Sequence, residues 1–152
     1  MMKYKGVYDA LYTYLEEVIN TYKDEDIELN KQVNIEIMNI EDTNGILIQK
    51  IGSNPIVSKD ITGLKTLVFK FTLKSIQNYT ASDNNSKLHI VQSLDKIGEY
   101  IENSYRSGKM PELPIEYESD NMELLNTASM IEYNESRITA GIDLSFTYST
   151  YY

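Results

Sequence analysis

Cysteine is absent from the 152 residues, which excludes a disulfide framework, a thiolate zinc site and a cysteine nucleophile together. The single histidine, His89, excludes a metal site built on several imidazoles. Arginine is scarce: Arg106 and Arg137 are the only two among 14 basic residues, set against 23 acidic ones for a net charge of −9. Readers of nucleic acid cluster arginine and lysine against phosphate, and no such cluster exists here, so specific nucleic-acid binding is not expected. An acidic surface instead repels a phosphate backbone and lets it slide past. No apolar run approaches the roughly twenty residues of a membrane helix. Asp9, Glu16 and Glu17 interrupt what a secretory leader would keep apolar. The expectation is a protein made inside the cell with no membrane partner, in which the sequons at Asn78, Asn85 and Asn134 occur by chance.

What is present is an ordinary globular composition, 41% apolar and 24% charged, long enough for one core. Apolar residues at helical spacing (Tyr4, Val7, Tyr8, Leu11, Leu15, Val18, Ile19, Tyr22) predict a first helix over residues 4–22. Tyr12 and Tyr14 lie off that stripe, as amphipathic edge positions. Val33, Ile35 and Ile37 alternate with polar neighbours, and Asn44-Gly45 suits a tight hairpin turn into a second strand at 46–51. Residues 52–63, rich in Gly, Ser, Asn and Pro, read as a long loop. Leu67, Phe69, Phe71 and Leu73 share one face of a clear strand, which runs through a turn at residues 75–79 into a polar turn at residues 80–86. Leu88, Val91, Leu94, Ile97, Ile101 and Tyr105 then predict a second helix, ended by Gly108 and Pro111. Short strands are expected at 114–119 and within 122–134. The last strand is the strongest: Ile138, Ala140, Ile142, Leu144, Phe146 and Tyr148 form one apolar row opposite a small polar one, so that the sheet is covered on one side only. Without repeats or linkers, residues 1–152 form a single α+β domain, two amphipathic helices on one face of a mainly antiparallel sheet.

No nucleophile elbow, Walker loop, dinucleotide fingerprint or H-E-x-x-H motif occurs, and the seven glycines are scattered. The acidic stretch at residues 24–28 is not a calcium loop: Leu29 stands where glycine is needed and Ile35 where a bidentate glutamate is needed. Glu116 and Glu118 share a strand face, which a period-two polar face explains without catalysis. His89, beside an apolar stripe, reads as a boundary residue. No enzyme, cofactor or metal is expected, and a binding or structural role follows by elimination.

A more specific pattern spans residues 67–105. An amphipathic strand, Leu67-Val-Phe-Lys-Phe-Thr-Leu-Lys74, runs into Ser75-x-x-Asn78-Tyr79 and through Asp83 into the helix that begins Leu88-His-Ile-Val-Gln. With the opening helix, the paired strands and the closing Ile142-Asp-Leu-Ser-Phe-Thr-Tyr148, this resembles the minor capsid or tail terminator proteins of tailed phages, or of phage-tail-like bacteriocins, from Gram-positive bacteria. The resemblance implies an α+β virion protein in the tail or neck, assembled in the host cytoplasm. Such a protein forms a homo-hexameric ring on the tail tube protein, stops tube growth and joins neck or connector proteins, with sheath in contractile particles. DNA passes through its lumen without specific binding. Candidate partner contacts are positional: Asp24, Asp26 and Glu28 in the acidic turn, Pro55 and Asp60 in the long loop, and Tyr148, Tyr151 and Tyr152 near the end. Another neck connector shares the element order. A small-molecule-binding or regulatory α+β module is the alternative of a different class, and it predicts an enclosed pocket.

Overall fold

The computed structural model describes residues 6–22, 33–35, 45–51, 56–78, 84–133 and 137–151. Their architecture follows from two strands of 14 residues each, β4 (Lys65–Asn78) and β7 (Arg137–Thr150). These pair antiparallel along their whole length, from Lys65 opposite Thr150 to Asn78 opposite Arg137. Each is flanked on its outer side by two shorter strands. β2 (Gly45–Ile51) and β3 (Ile56–Lys59) pair with successive parts of β4. β5 (Tyr117–Leu124) and β6 (Ser129–Tyr133) do the same along β7. β1 (Val33–Ile35) completes the sheet beside β2.

Alternation decides which face is covered. Phe69, Phe71 and Leu73 of β4 stand beside Phe146, Leu144 and Ile142 of β7, with Ile46, Ile48 and Met122 from the flanking strands, and all are buried. The helices α1 (Val7–Thr21) and α2 (Asn84–Arg106) lie on this face. In α1 the buried set Val7, Ala10, Leu11, Tyr14, Leu15, Val18 and Ile19 recurs every three or four residues, one apolar face of a helix. Each fully buried Leu, Ile or Phe contributes roughly 1.5–3 kcal/mol by leaving water, so this layer is the main source of stability. The expected single α+β domain, with two helices on one face of a mainly antiparallel sheet, is the observed one.

Several local expectations are corrected. β1 and β2 pair in parallel, Val33 opposite Ile46, so they do not form the hairpin that Asn44-Gly45 suggested. Part of the long loop is strand: β3 adds to the edge of β4, and the segment at residues 75–78 continues β4 where a turn was expected. Tyr14, expected at an amphipathic edge, is buried, and its hydroxyl donates to the Lys109 carbonyl at 2.7 Å. Leu88 is exposed, while Ile90 takes the buried place on α2 with Leu94, Ile97, Ile101 and Tyr105. β5 runs later than the expected strand at 114–119. Tyr4 and Ile37 lie outside the described residues.

Gly108 ends α2 with φ +100°, a left-handed conformation that favours glycine. Its N–H donates to Tyr105 O and the Lys109 N–H to Ser104 O, both at 3.0 Å, the paired bonds of a Schellman cap. The cap turns the chain so that Lys109 reaches α1, where its Nζ lies 3.5 Å from Glu17 Oε1.

At Gly98, α2 approaches the sheet more closely than a side chain permits. A Cβ there would stand 2.8 Å from Ile142 Cδ1 and 2.9 Å from Leu124 Cδ2. On either side of that glycine two carboxylates of α2 hold the β5–β6 connection. Glu102 Oε2 accepts from the Leu124 N–H at 2.8 Å, and Asp95 Oδ1 accepts from the Ala128 N–H at 2.5 Å. Such charge-assisted bonds are about twice as strong as neutral ones, which pins β5 and the loop after it to the helix.

Candidate functional site

Among the described residues, no helix lies on the second face of the sheet. Most residues of β4 and β7 that alternate with the core row are small, polar or basic, with Thr66, Lys70, Thr72 and Lys74 beside Ser149, Ser145, Asp143 and Gly141. Val68 and the buried Ile76, which clusters with Leu47 of β2, are the apolar members of the row. Asp143 lies near the middle of this face, with both carboxylate oxygens occupied. Thr72 Oγ1 donates to Oδ1 at 2.6 Å and Asn126 Nδ2 to Oδ2 at 2.8 Å, while the Asp143 N–H donates to Asn126 Oδ1 at 3.0 Å. The aspartate thus fastens the β5–β6 loop across β7. Gly141 leaves room for the Ile131 side chain, whose Cδ1 would lie 2.5 Å from a Cβ at that position. Ile131 and Ile51 are apolar and 52% and 40% exposed.

The two sides of the sheet differ in charge. Residues 45–78, which build β2, β3 and β4, contain five lysines (Lys50, Lys59, Lys65, Lys70, Lys74) and one acid, Asp60. Residues 112–133, which build β5, β6 and their connections, contain six acids (Glu112, Glu116, Glu118, Asp120, Glu123, Glu132) and no basic residue. Ser58 and Lys59 on β3 are exposed, as are Glu118, Asp120, Asn121 and Glu123 on β5. Among the described residues, β3 pairs only with β4 and β5 only with β7, so each is a sheet edge. Among the described residues the sheet is therefore polar across its strands, basic along β2, β3 and β4 and acidic along β5 and β6.

Of the expected partner contacts, three residues are placed. Asp60 is exposed at the β3–β4 corner. Its Oδ1 accepts from Thr62 Oγ1 at 2.5 Å and from the Thr62 and Leu64 N–H groups at 2.9 and 3.0 Å. The Thr62 hydroxyl bond leads these in holding its carboxyl below the usual range, which keeps it ionised. Tyr148 is buried in the core, its ring 5.6 Å from Phe146 and 5.7 Å from Tyr117, which corrects its assignment as a surface contact. Tyr151 is exposed. Asp24, Asp26, Glu28, Pro55 and Tyr152 lie outside the described residues. His89 sits at a half-buried position on α2, the boundary place expected for it.

A cleft of about 320 Å³ lies between α1 and the end of α2, walled by Thr13, Tyr14, Glu17, Lys109, Met110 and Glu112. Three of its polar groups already serve the helix contact, through the Tyr14–Lys109 hydrogen bond and the Lys109–Glu17 ion pair. Among the described residues no three acidic, histidine or cysteine side chains are placed to hold a metal ion, and no helix is long and apolar enough to cross a membrane.

The site elements that the sequence reading missed are the Asp143–Thr72–Asn126 fastener and the paired carboxylates Asp95 and Glu102. The spacing of seven between the two acids, flanking a glycine on one side of a helix, is a signal that was present. The edge polarity was also legible, as a run of lysine-only strands followed by an acid-only stretch. No protein-family model matches the chain, and no curated protein shows significant similarity to it.

Proposed function

We propose that the chain is a structural virion protein, the tail terminator that caps the head-proximal end of a phage or phage-like tail tube as a ring. One observation carries the reading: the segments bearing the resemblance are packed neighbours at the centre of the fold. β4 and β7 pair over 14 residues, and α2 lies across β7 through the close approach at Gly98. A pattern scattered over unrelated surfaces would have no such unity. The polar fold supports the same role, since a subunit with unlike edges joins its copies head to tail, and such contacts close into rings. The net charge of −9 suits a lumen that DNA traverses without adhering.

The purified chain, added to growing tubes of the tail tube protein of its own particle, is expected to stop elongation and to leave ring density at one end of each tube. Tubes of unaltered length with bare ends would contradict the proposal.

A further inference from the structure

We infer that copies of this chain associate edge to edge, the lysine-bearing β3 edge of one against the acidic β5 edge of the next. The inference rests on the ring reading above for closure and copy number, and on the two edges alone for the contact.

An unpaired strand edge is a template for pairing, and proteins guard such edges with charge and bulges. β5 carries both devices, with Glu118, Asp120 and Glu123 exposed and a register shift between Ser119 and Asn121. Against a second β5 these devices bring like charges together and repel. Against β3 they do not, because Lys59 is exposed there and Lys65 begins the adjoining strand. The one acid of that corner, Asp60, stays ionised within its Thr62 and Leu64 hydrogen bonds, so Lys59 and Lys65 against this single carboxylate leave the corner net positive. The same charges therefore disfavour symmetric pairing and favour the unlike pair, attraction and exclusion in one pattern. Opposite edges of one sheet point in opposite directions, so an unlike pair leaves a free β5 edge on one copy and a free β3 edge on the other. The contact is heterologous, and growth continues until a ring closes.

The cysteine-free sequence makes a clean test. Ser58→Cys and Asn121→Cys, both exposed and uncharged, place one thiol on each edge. A flexible bismaleimide is added to the full-length protein at low salt. The mixture of the two single variants is expected to cross-link about tenfold faster than either alone, and the advantage should shrink as salt screens the edges. Lys59→Glu in the first partner should remove the advantage, and adding Glu118→Lys to the second should restore it. Like-with-like cross-linking as fast as the mixed reaction, or a rate indifferent to salt, overturns the inference. A variant carrying both cysteines separates the contact from the ring. A ladder that ends at a closed product of six supports both, and one that continues without a stop supports the contact while contradicting the ring.

Discussion

Replacing Gly98 by leucine is expected to cost about 3 kcal/mol, the upper part of the range for overpacking a core. The cause is local. At this point α2 rests on Ile142 and Leu124, and even the first atom of a side chain would lie 2.8 and 2.9 Å from their terminal methyls. Leucine adds three further carbons in the same space, and the helix cannot retreat, because Asp95 and Glu102 hold Ala128 and Leu124 on either side. For a chain of this size the loss corresponds to a melting temperature lower by about 10 °C. Alanine is the graded control. It gains up to about 1 kcal/mol in helix propensity and meets only two methyl ends that can rotate away, so its net effect is small. Thermal melts of the three proteins check the order. A leucine variant as stable as the parent would mean that α2 does not sit on the sheet in this way.

The second large effect is alkaline. Burial raises the hydroxyl pKa of Tyr14, Tyr105 and Tyr148, chiefly by penalising the phenolate, with neighbouring tyrosines adding for Tyr14 and Tyr148 and Asp120 adding for Tyr105. Tyr12 is pushed up to about 12, first by its hydrogen bond to Glu16. A raised pKa means that the folded state holds the proton more tightly. Stability from these groups is complete below the unfolded value of about 10, and it falls as pH rises through and beyond it. Each buried tyrosine steepens the fall by up to about 1.4 kcal/mol per pH unit. Melting temperatures should therefore drop sharply from about pH 10 upward, and part of the tyrosinate absorbance should appear only with unfolding. Tyr105 supplies an internal check, because its buried hydroxyl has no hydrogen-bond partner among the described residues. Tyr105→Phe should leave neutral stability unchanged or slightly raised and soften the alkaline fall. A smooth titration of all 13 tyrosines near the free value, with no loss of fold, would contradict the described core.

These cases show what the sequence made legible. Strand β7 was plain because its inward row, Ile138 to Tyr148, is apolar without a break and its outward row is small and polar, so only one orientation buries the right face. The first helix was equally clear along its stripe. In α2 two apolar sets compete, one through Leu88 and Val91 and one through Ile90. Helical spacing admits both, and the choice is made by the sheet beneath, which leaves Leu88 in solvent. Pairing was harder still. Asn44-Gly45 signals a local backbone preference, but the partner of β2 is a tertiary choice, and β1 lies parallel to it. β3 escaped notice because a four-residue edge strand between polar segments has too few residues to show a period. At the candidate site the charge polarity of the edges was written in lysine-only and acid-only stretches. Its meaning needed the topology that puts those stretches on opposite sides of one sheet. Tyr148 was misplaced for the related reason that aromatic character alone does not distinguish a contact from a core residue.

The measurement that bears most directly on the proposed role is electron microscopy of particles from a strain lacking this gene. Tails of variable and mostly excessive length, without attached heads, are the predicted result. Complete particles of normal tail length, or tails of normal length lying separate from heads, would contradict termination as the function.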